Sequence, residues 1–234
     1  LGIDNKINLL YNKNKKKMFY DEDGIYVIDD FISEESQKFL EELFITDVDF
    51  PYYYNAASNG TNQEDNIRVI TNRNTFDHSQ FTHLLWWLDN DEFFHGDKDN
   101  CFRESDHYKK VIDIFKESYY DFFGDDIFDV LRMKVNLNTA HPRTRKHLSP
   151  HVDSPQKMWS LIYYVNDTPK SFTLIGKEFY DGKEKNKFTV SKRIESKRGR
   201  CVIFDSRRYH SAGKCPPGKI RVVVNTMIGK LDDL

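Results

Sequence analysis

At Asp129 the apolar residues stop recurring at helical spacing and begin to alternate, and this change of period constrains the fold more than any other feature of the chain. Seven β-rich runs follow: DVLRMKVNLN, the stretch around HVD, MWSLIYYVN, SFTLIG, KFTVSKRIE, RCVIFDS and KIRVVVNTMI. DG, RG and PPG turns punctuate them, which predicts a sandwich or barrel of jelly-roll type. Upstream, IYVIDDF (25–31) reads as a short strand. SEESQKFLEELF then reads as a helix, with Ser33 as N-cap, Glu34 and Glu35 in the first turn where the helix dipole favours them, and Phe39, Leu40, Leu43 and Phe44 on one apolar face. Two further helices are predicted over HSQFTHLLWWLDN and SDHYKKVIDIFKESYYDFFG. In the latter, Tyr108, Val111, Phe115, Tyr119 and Phe122 recur at helical spacing and Gly124 is a natural stop.

The expected fold is therefore mainly β with N-terminal helices. Residues 18–234 form a single domain, with helical support over about 32–124 and a jelly-roll core over about 129–230. Residues 1–17 are a Lys- and Asn-rich arm, flexible or appended, and 51–75 read as a long surface excursion of the kind that borders sites.

Lys plus Arg (35) and Asp plus Glu (37) nearly cancel, so no global field demands nucleic acid or an anionic membrane as partner. The basic runs HPRTRKH, SKRIESKRGR and DSRR are expected to be solvated loop charge. The 18 Phe and 13 Tyr fill a core without identifying a ligand. Cys101, Cys201 and Cys215 are odd in number and widely spaced, which fits a reducing, cytoplasmic setting better than a disulfide framework. No apolar run reaches the roughly 18 residues of a membrane span, and no signal peptide is expected.

The chemistry concentrates in SPHVDSP. In an extended segment residues i and i+2 share a face, so His151 and Asp153 can present an imidazole and a carboxylate to one point. His210, at the end of the strand CVIFDS, is the histidine at a strand edge late in the β core, and a jelly roll can bring it to the other two. His147 stands four residues before His151, but Pro150 argues against a helix that would align them, so His147 is expected at the rim. Two His and one carboxylate leave adjacent positions open on a metal, the arrangement of non-haem Fe(II) oxygenases, whereas structural zinc normally closes its shell. Such chemistry needs a chelating co-substrate, commonly 2-oxoglutarate. Arg221 could hold its distal carboxylate through a bidentate pair, and Asn225 shares a face with Arg221 by period 2.

HVDSP, then IYYVN, then FDSRRYHSAG with RVVVN together resemble the Fe(II)/2-oxoglutarate-dependent dioxygenase superfamily, most closely its prolyl-hydroxylase-like branch. The resemblance implies a double-stranded β-helix of cupin-like kind. It implies that His151, Asp153 and His210 ligate Fe(II), that Arg221 and Tyr164 hold 2-oxoglutarate, and that Asn136 lies near its iron-bound end. It further implies hydroxylation with release of succinate and CO2, consumption of O2, and ascorbate as an accessory reductant. Because Asp153 is a carboxylate, oxygen transfer is expected rather than halogenation. The substrate is expected to be a small molecule or a peptide, a prolyl peptide being the first candidate, although the Gly-Gly stretch of many prolyl hydroxylases is replaced after IYYVN by DTPKSFTLIGKEFYDGKE. Oligomeric state is left open. A cupin-like metal- or ligand-binding module without oxygenase activity is the alternative.

Overall fold

The computed structural model describes residues 18–20, 23–55, 80–89, 101–124, 129–141, 147–183 and 187–229. The arm 1–17, most of the excursion over 51–75, His78, His95 and the centre of HPRTRKH lie outside them. Twelve strands are described: β1 Met18–Tyr20, β2 Tyr26–Ile28, β3 Tyr53–Asn55, β4 Gln80–Asp89, β5 Cys101–Glu104, β6 Asp129–Thr139, β7 Trp159–Tyr164, β8 Phe172–Phe179, β9 Val190–Glu195, β10 Cys201–Asp205, β11 Arg208–Ala212 and β12 Ile220–Gly229. The helices are α1, Glu34–Glu41, running into a π-helical turn over Glu42–Thr46, and α2, Tyr108–Phe123. None of the described helices is long and apolar enough to cross a membrane.

The strands make two antiparallel sheets. A major sheet runs β1-β2-β10-β7-β12-β6-β4-β3, with β5 also paired to β4, and a minor sheet runs β11-β8-β9. Alternation along the central strands sorts side chains onto two faces. Met133, Val135, Leu161, Tyr163, Ile203, Val222 and Val224 pack in one cluster with Val111, Phe115, Tyr119 and Phe122 of α2. On the other face Val27, Ile162, Tyr164, Val202, Phe204 and Val223 meet Ile175 and Ile194 of the minor sheet and close a chamber between the sheets. This is the mainly β jelly roll expected from the change of period.

The helices obey their local chemistry. Ser33 Oγ accepts from Ser36 N at 3.2 Å, capping α1 as expected, and Leu40 and Phe44 are buried while Phe39 stays exposed. α2 ends where Gly124 adopts φ +78°, its N–H bonded to Tyr120 O at 2.8 Å.

Three sequence expectations are corrected. HSQFTHLLWWLDN is not a helix: Gln80–Asp89 is strand β4, paired with β6 from Phe81↔Leu137 to Trp87↔Arg132. A register shift between Leu84 and Trp86 breaks the alternation, and apolar residues on both faces imitate helical spacing. The 32–124 region thus supplies strands β3, β4 and β5 as well as helices. Second, the stretch around HVD is not a strand of its own but makes single backbone bridges, His151↔His210 on β11 and His147↔Gly213 just after it. Third, His210 is not at the end of CVIFDS but within the next strand, β11, after a turn at Ser206 and Arg207.

β11 meets β8 with a register shift between Arg208 and His210. Gly176 of β8 sits at that irregularity, where an added Cβ would fall 2.7 Å from the Phe188 ring and 3.0 Å from Tyr209 O. Glycine is required there because the strand backbones and Phe188 approach too closely for any side chain.

Candidate metal centre

The segment before β7 is laid against β11 by its backbone. Leu148 N donates to Ala212 O at 2.8 Å, His151 N to His210 O at 3.0 Å, His210 N to His151 O at 2.8 Å, and Asp153 N to Ser206 O at 3.1 Å. Residues that exchange both backbone bonds in an antiparallel pair project side chains to the same side. The rings of His151 and His210 therefore lie with centroids 4.4 Å apart, and Asp153, two residues on, reaches the same point. Asp153 Oδ2 is 3.5 Å from His210 Nε2, and ligand atoms of His151, Asp153 and His210 all fall within 4.8 Å of one another. No other group of three such residues among the described ones could hold a metal ion.

Each imidazole is oriented by its own backbone. His210 Nδ1 is 3.2 Å from Arg208 O, and His151 Nδ1 is 3.4 Å from Ser149 O. A proton on Nδ1 satisfies those carbonyls and leaves both Nε2 lone pairs for a metal. Burial first, and then the neighbouring imidazole, push His151 down to about 3; burial likewise lowers His210. Burial thus favours the neutral form of both rings, the form in which an imidazole can ligate a metal. Burial opposes the charge on Asp153, but His210, Arg132 and His151 override it and hold the carboxyl well below the usual range.

The carboxylate is fixed from the major sheet. Arg132 Nη2 on β6 donates to Asp153 Oδ1 at 2.8 Å, Ser160 Oγ on β7 to Oδ2 at 2.8 Å, and Asn225 Nδ2 on β12 to Oδ2 at 3.4 Å. Arg132 also donates to Asn225 Oδ1 at 3.1 Å, closing the network. Asn225 thus touches the carboxylate of the triad.

Further along the same inner face lies Arg221, 3% exposed. Its Nη2 donates to Thr173 Oγ1 at 2.8 Å and its Nη1 to Asn138 Oδ1 at 3.3 Å. Tyr164 OH donates to the same Thr173 Oγ1 at 2.6 Å, and the guanidinium carbon stands 5.3 Å from the Tyr164 ring centroid. Arg221 Nε is buried without a hydrogen-bond partner, and among the described residues no carboxylate pairs with this guanidinium. Asn136, opposite Val223 in the β12 register and between the two ends, carries a buried Oδ1 that also lacks a partner. These orphaned polar atoms are those an anionic, hydrogen-bonding ligand would satisfy, so the chamber fits Fe(II) at one end and a carboxylate at the other.

The sequence pattern assigned no role to Arg132, Lys134, Asn138, Ser160 and Thr173. Three of them lie in the polar stripe Arg132, Lys134, Asn136, Asn138 that alternates with Met133, Val135 and Leu137, so a signal existed. Ser160 and Thr173 carry none, being ordinary strand residues until the fold brings their hydroxyls to Asp153 and Arg221. His83, buried between Pro51 O at 2.6 Å and Ser105 Oγ at 2.7 Å, serves packing far along the chain from the triad.

Residues 135–229, which hold the triad, Tyr164 and Arg221, match the family model of the 2OG-Fe(II) oxygenase superfamily, the superfamily that the sequence resembles. Among solved structures, the chain is similar to an oxidoreductase of the 2OG-Fe(II) oxygenase family from Burkholderia pseudomallei, with TM-score 0.60 and 10% identity, covering 98% of this chain and 91% of that one. It is also similar to the non-heme alpha-ketoglutarate-dependent epimerase SnoN from nogalamycin biosynthesis (TM-score 0.58, 11% identity, 98% and 84% covered). A third is a prolyl hydroxylase from Trichoplax adhaerens in complex with a hypoxia-inducible-factor peptide (TM-score 0.51, 12% identity, 99% and 93% covered). At these identities the likeness is one of fold. No curated protein sequence matches the chain.

Proposed function

We propose that the protein is an Fe(II)- and 2-oxoglutarate-dependent dioxygenase that hydroxylates an organic substrate, a prolyl peptide being the first candidate, with release of succinate and CO2. The observation that carries this reading is the pairing of two sites in one chamber. At one end stands a cluster of two histidines and an aspartate, and at the other a buried guanidinium with no carboxylate partner among the described residues. A metal-binding module without oxygenase activity has no use for the second.

His151, His210 and Asp153 would hold Fe(II), and Arg221 would receive the distal carboxylate of 2-oxoglutarate. Fe(II) held there would activate O2, the oxidant, for substrate hydroxylation, with 2-oxoglutarate supplying the balancing electrons as it becomes succinate and CO2. Arg132, Ser160 and Asn225 fix the rotamer of Asp153, so one geometry is presented before any ligand arrives. Tyr164 holds Thr173, which in turn positions Arg221, and it also interacts with the Arg221 guanidinium directly. Ile162, Val223 and Phe204 line the chamber with apolar surface that excludes water from the reacting groups.

The test is an anaerobic titration followed by a turnover assay. Fe(II) with 2-oxoglutarate should produce a visible charge-transfer band, and O2 should then yield succinate. Asp153→Ala should abolish succinate formation, and Arg221→Ala should raise the 2-oxoglutarate KM by roughly tenfold to a hundredfold, the worth of a buried charge-assisted pair. Absence of the band in the intact protein would turn the reading to the cupin-like binding module.

A further inference from the structure

The inner faces of β6 and β12 bring three cations to the chamber, Arg132, Lys134 and Arg221. Arg132 is matched by Asp153 at 2.8 Å. Arg221 stands at the far end and, on the oxygenase reading, takes the co-substrate's distal carboxylate. Lys134 has neither. It lies in the β6 stripe one step from Arg132, opposite Asn225 in the β12 register and Leu84 in the β4 register. No hydrogen bond or ion pair to it is formed by any described residue, and its charge is felt by His151, Asp153 and His210 alike. It is largely buried without being sealed, so a molecule entering the chamber can reach it.

Charge balance makes this lysine informative. Fe(II) and 2-oxoglutarate add equal and opposite charges, so the loaded chamber keeps the excess that the protein itself supplies. Asp153 offsets Arg132; of the two cations that remain, Arg221 lies at the far end and Lys134 beside the triad, where apolar walls strengthen every electrostatic interaction. Beside a neutral substrate this amine would be enclosed with no partner for its N–H groups or its charge, whereas an oxyanion would supply both.

We propose that Lys134 is a specificity-determining residue that binds an oxyanion group of the prime substrate, a carboxylate or a phosphate, beside the metal. This inference rests on the oxygenase reading and deepens it by naming a substrate class: acids, acidic peptides included, rather than neutral prolyl chains.

The experiment titrates sodium acetate, and separately inorganic phosphate, into the anaerobic protein saturated with Fe(II) and 2-oxoglutarate, and follows the charge-transfer band; acetamide serves as the neutral control. The expected result is a saturable shift with one or both anions and none with acetamide. Lys134→Met should weaken that response by roughly tenfold to a hundredfold, the worth of one charge-assisted hydrogen bond, and Lys134→Arg should restore much of it. Acetate and phosphate responses of different strength say which oxyanion the chamber prefers. A band that forms but shifts with neither anion, or shifts equally in Lys134→Met, overturns this inference and leaves the oxygenase reading intact. A Met variant in which 2-oxoglutarate itself no longer produces the band assigns Lys134 to the co-substrate and overturns it as well. A wild-type protein that forms no band overturns the oxygenase reading, and this inference with it.

Discussion

Lys134 shows what a single side chain costs when it is kept for a ligand. Burial, and then Arg132, push its pKa down from 10.5 to about 7. Its folded pKa thus lies below its unfolded one, so the unfolded chain binds the extra proton between the two, and stability rises with pH across that window. Lys134→Met should therefore raise the melting temperature of the metal-free protein, most below pH 7, with the gain shrinking as pH climbs toward 10.5. A melting series of both proteins from about pH 6 to about pH 10 checks this, and a pH-independent difference would refute the linkage. Asp29 provides the opposite case. Burial works against its charge, but Arg200 at 2.6 Å and Lys197 at 2.9 Å more than compensate and lower its pKa. Asp29→Asn should cost about 1.5–3 kcal/mol near neutrality, the range for hydrogen bonds to charged groups. That cost should vanish in acid, as pH falls through the folded pKa, when measured by urea unfolding.

Among the elements, β6 was legible and β4 was not, for one physical reason. β6 alternates Met133 and Val135, turned to the α2 layer, with Arg132, Lys134 and Asn136, turned to the chamber, so period 2 survives in the sequence. β4 carries apolar side chains on both faces and a register shift at its middle, so its periodicity is lost and LLWWL imitates a helix. The triad was readable because HVD is local and His210 follows a run that is plainly β. Its distance to His151 is set by the backbone bridge, which no spacing in the sequence encodes. Thr173 and Ser160 could not be read, since a hydroxyl on a strand is commonplace until a guanidinium or a carboxylate arrives beside it. At this scale Ser33→Ala should destabilise α1, removing the acceptor for Ser36 N and costing about 1 kcal/mol in denaturant unfolding. The site should be untouched, because α1 contributes no side chain to the chamber.

At the scale of the whole molecule, the triad joins the two sheets. His210 stands on the minor sheet, while Asp153 is gripped by Arg132, Ser160 and Asn225 from three strands of the major one. A metal bound by both should fasten the sheets together. Anaerobic Fe(II) at about a hundred times its dissociation constant should stabilise the fold by about 2.7 kcal/mol. A chelator should reverse the gain, and Asp153→Ala should lose most of it in thermal unfolding. The polar stripe of β6 has a consequence for how the chain reaches this state. A slip of one residue against β12 would turn Arg132, Lys134 and Asn136 into the apolar layer beneath α2 and bring Met133 and Val135 into the chamber. Desolvation rejects that pairing outright, so the residues that equip the chamber also proofread the assembly of the sheet. Folding and competence become a single selection event, in which a mispaired molecule is discarded before it can be an inactive one.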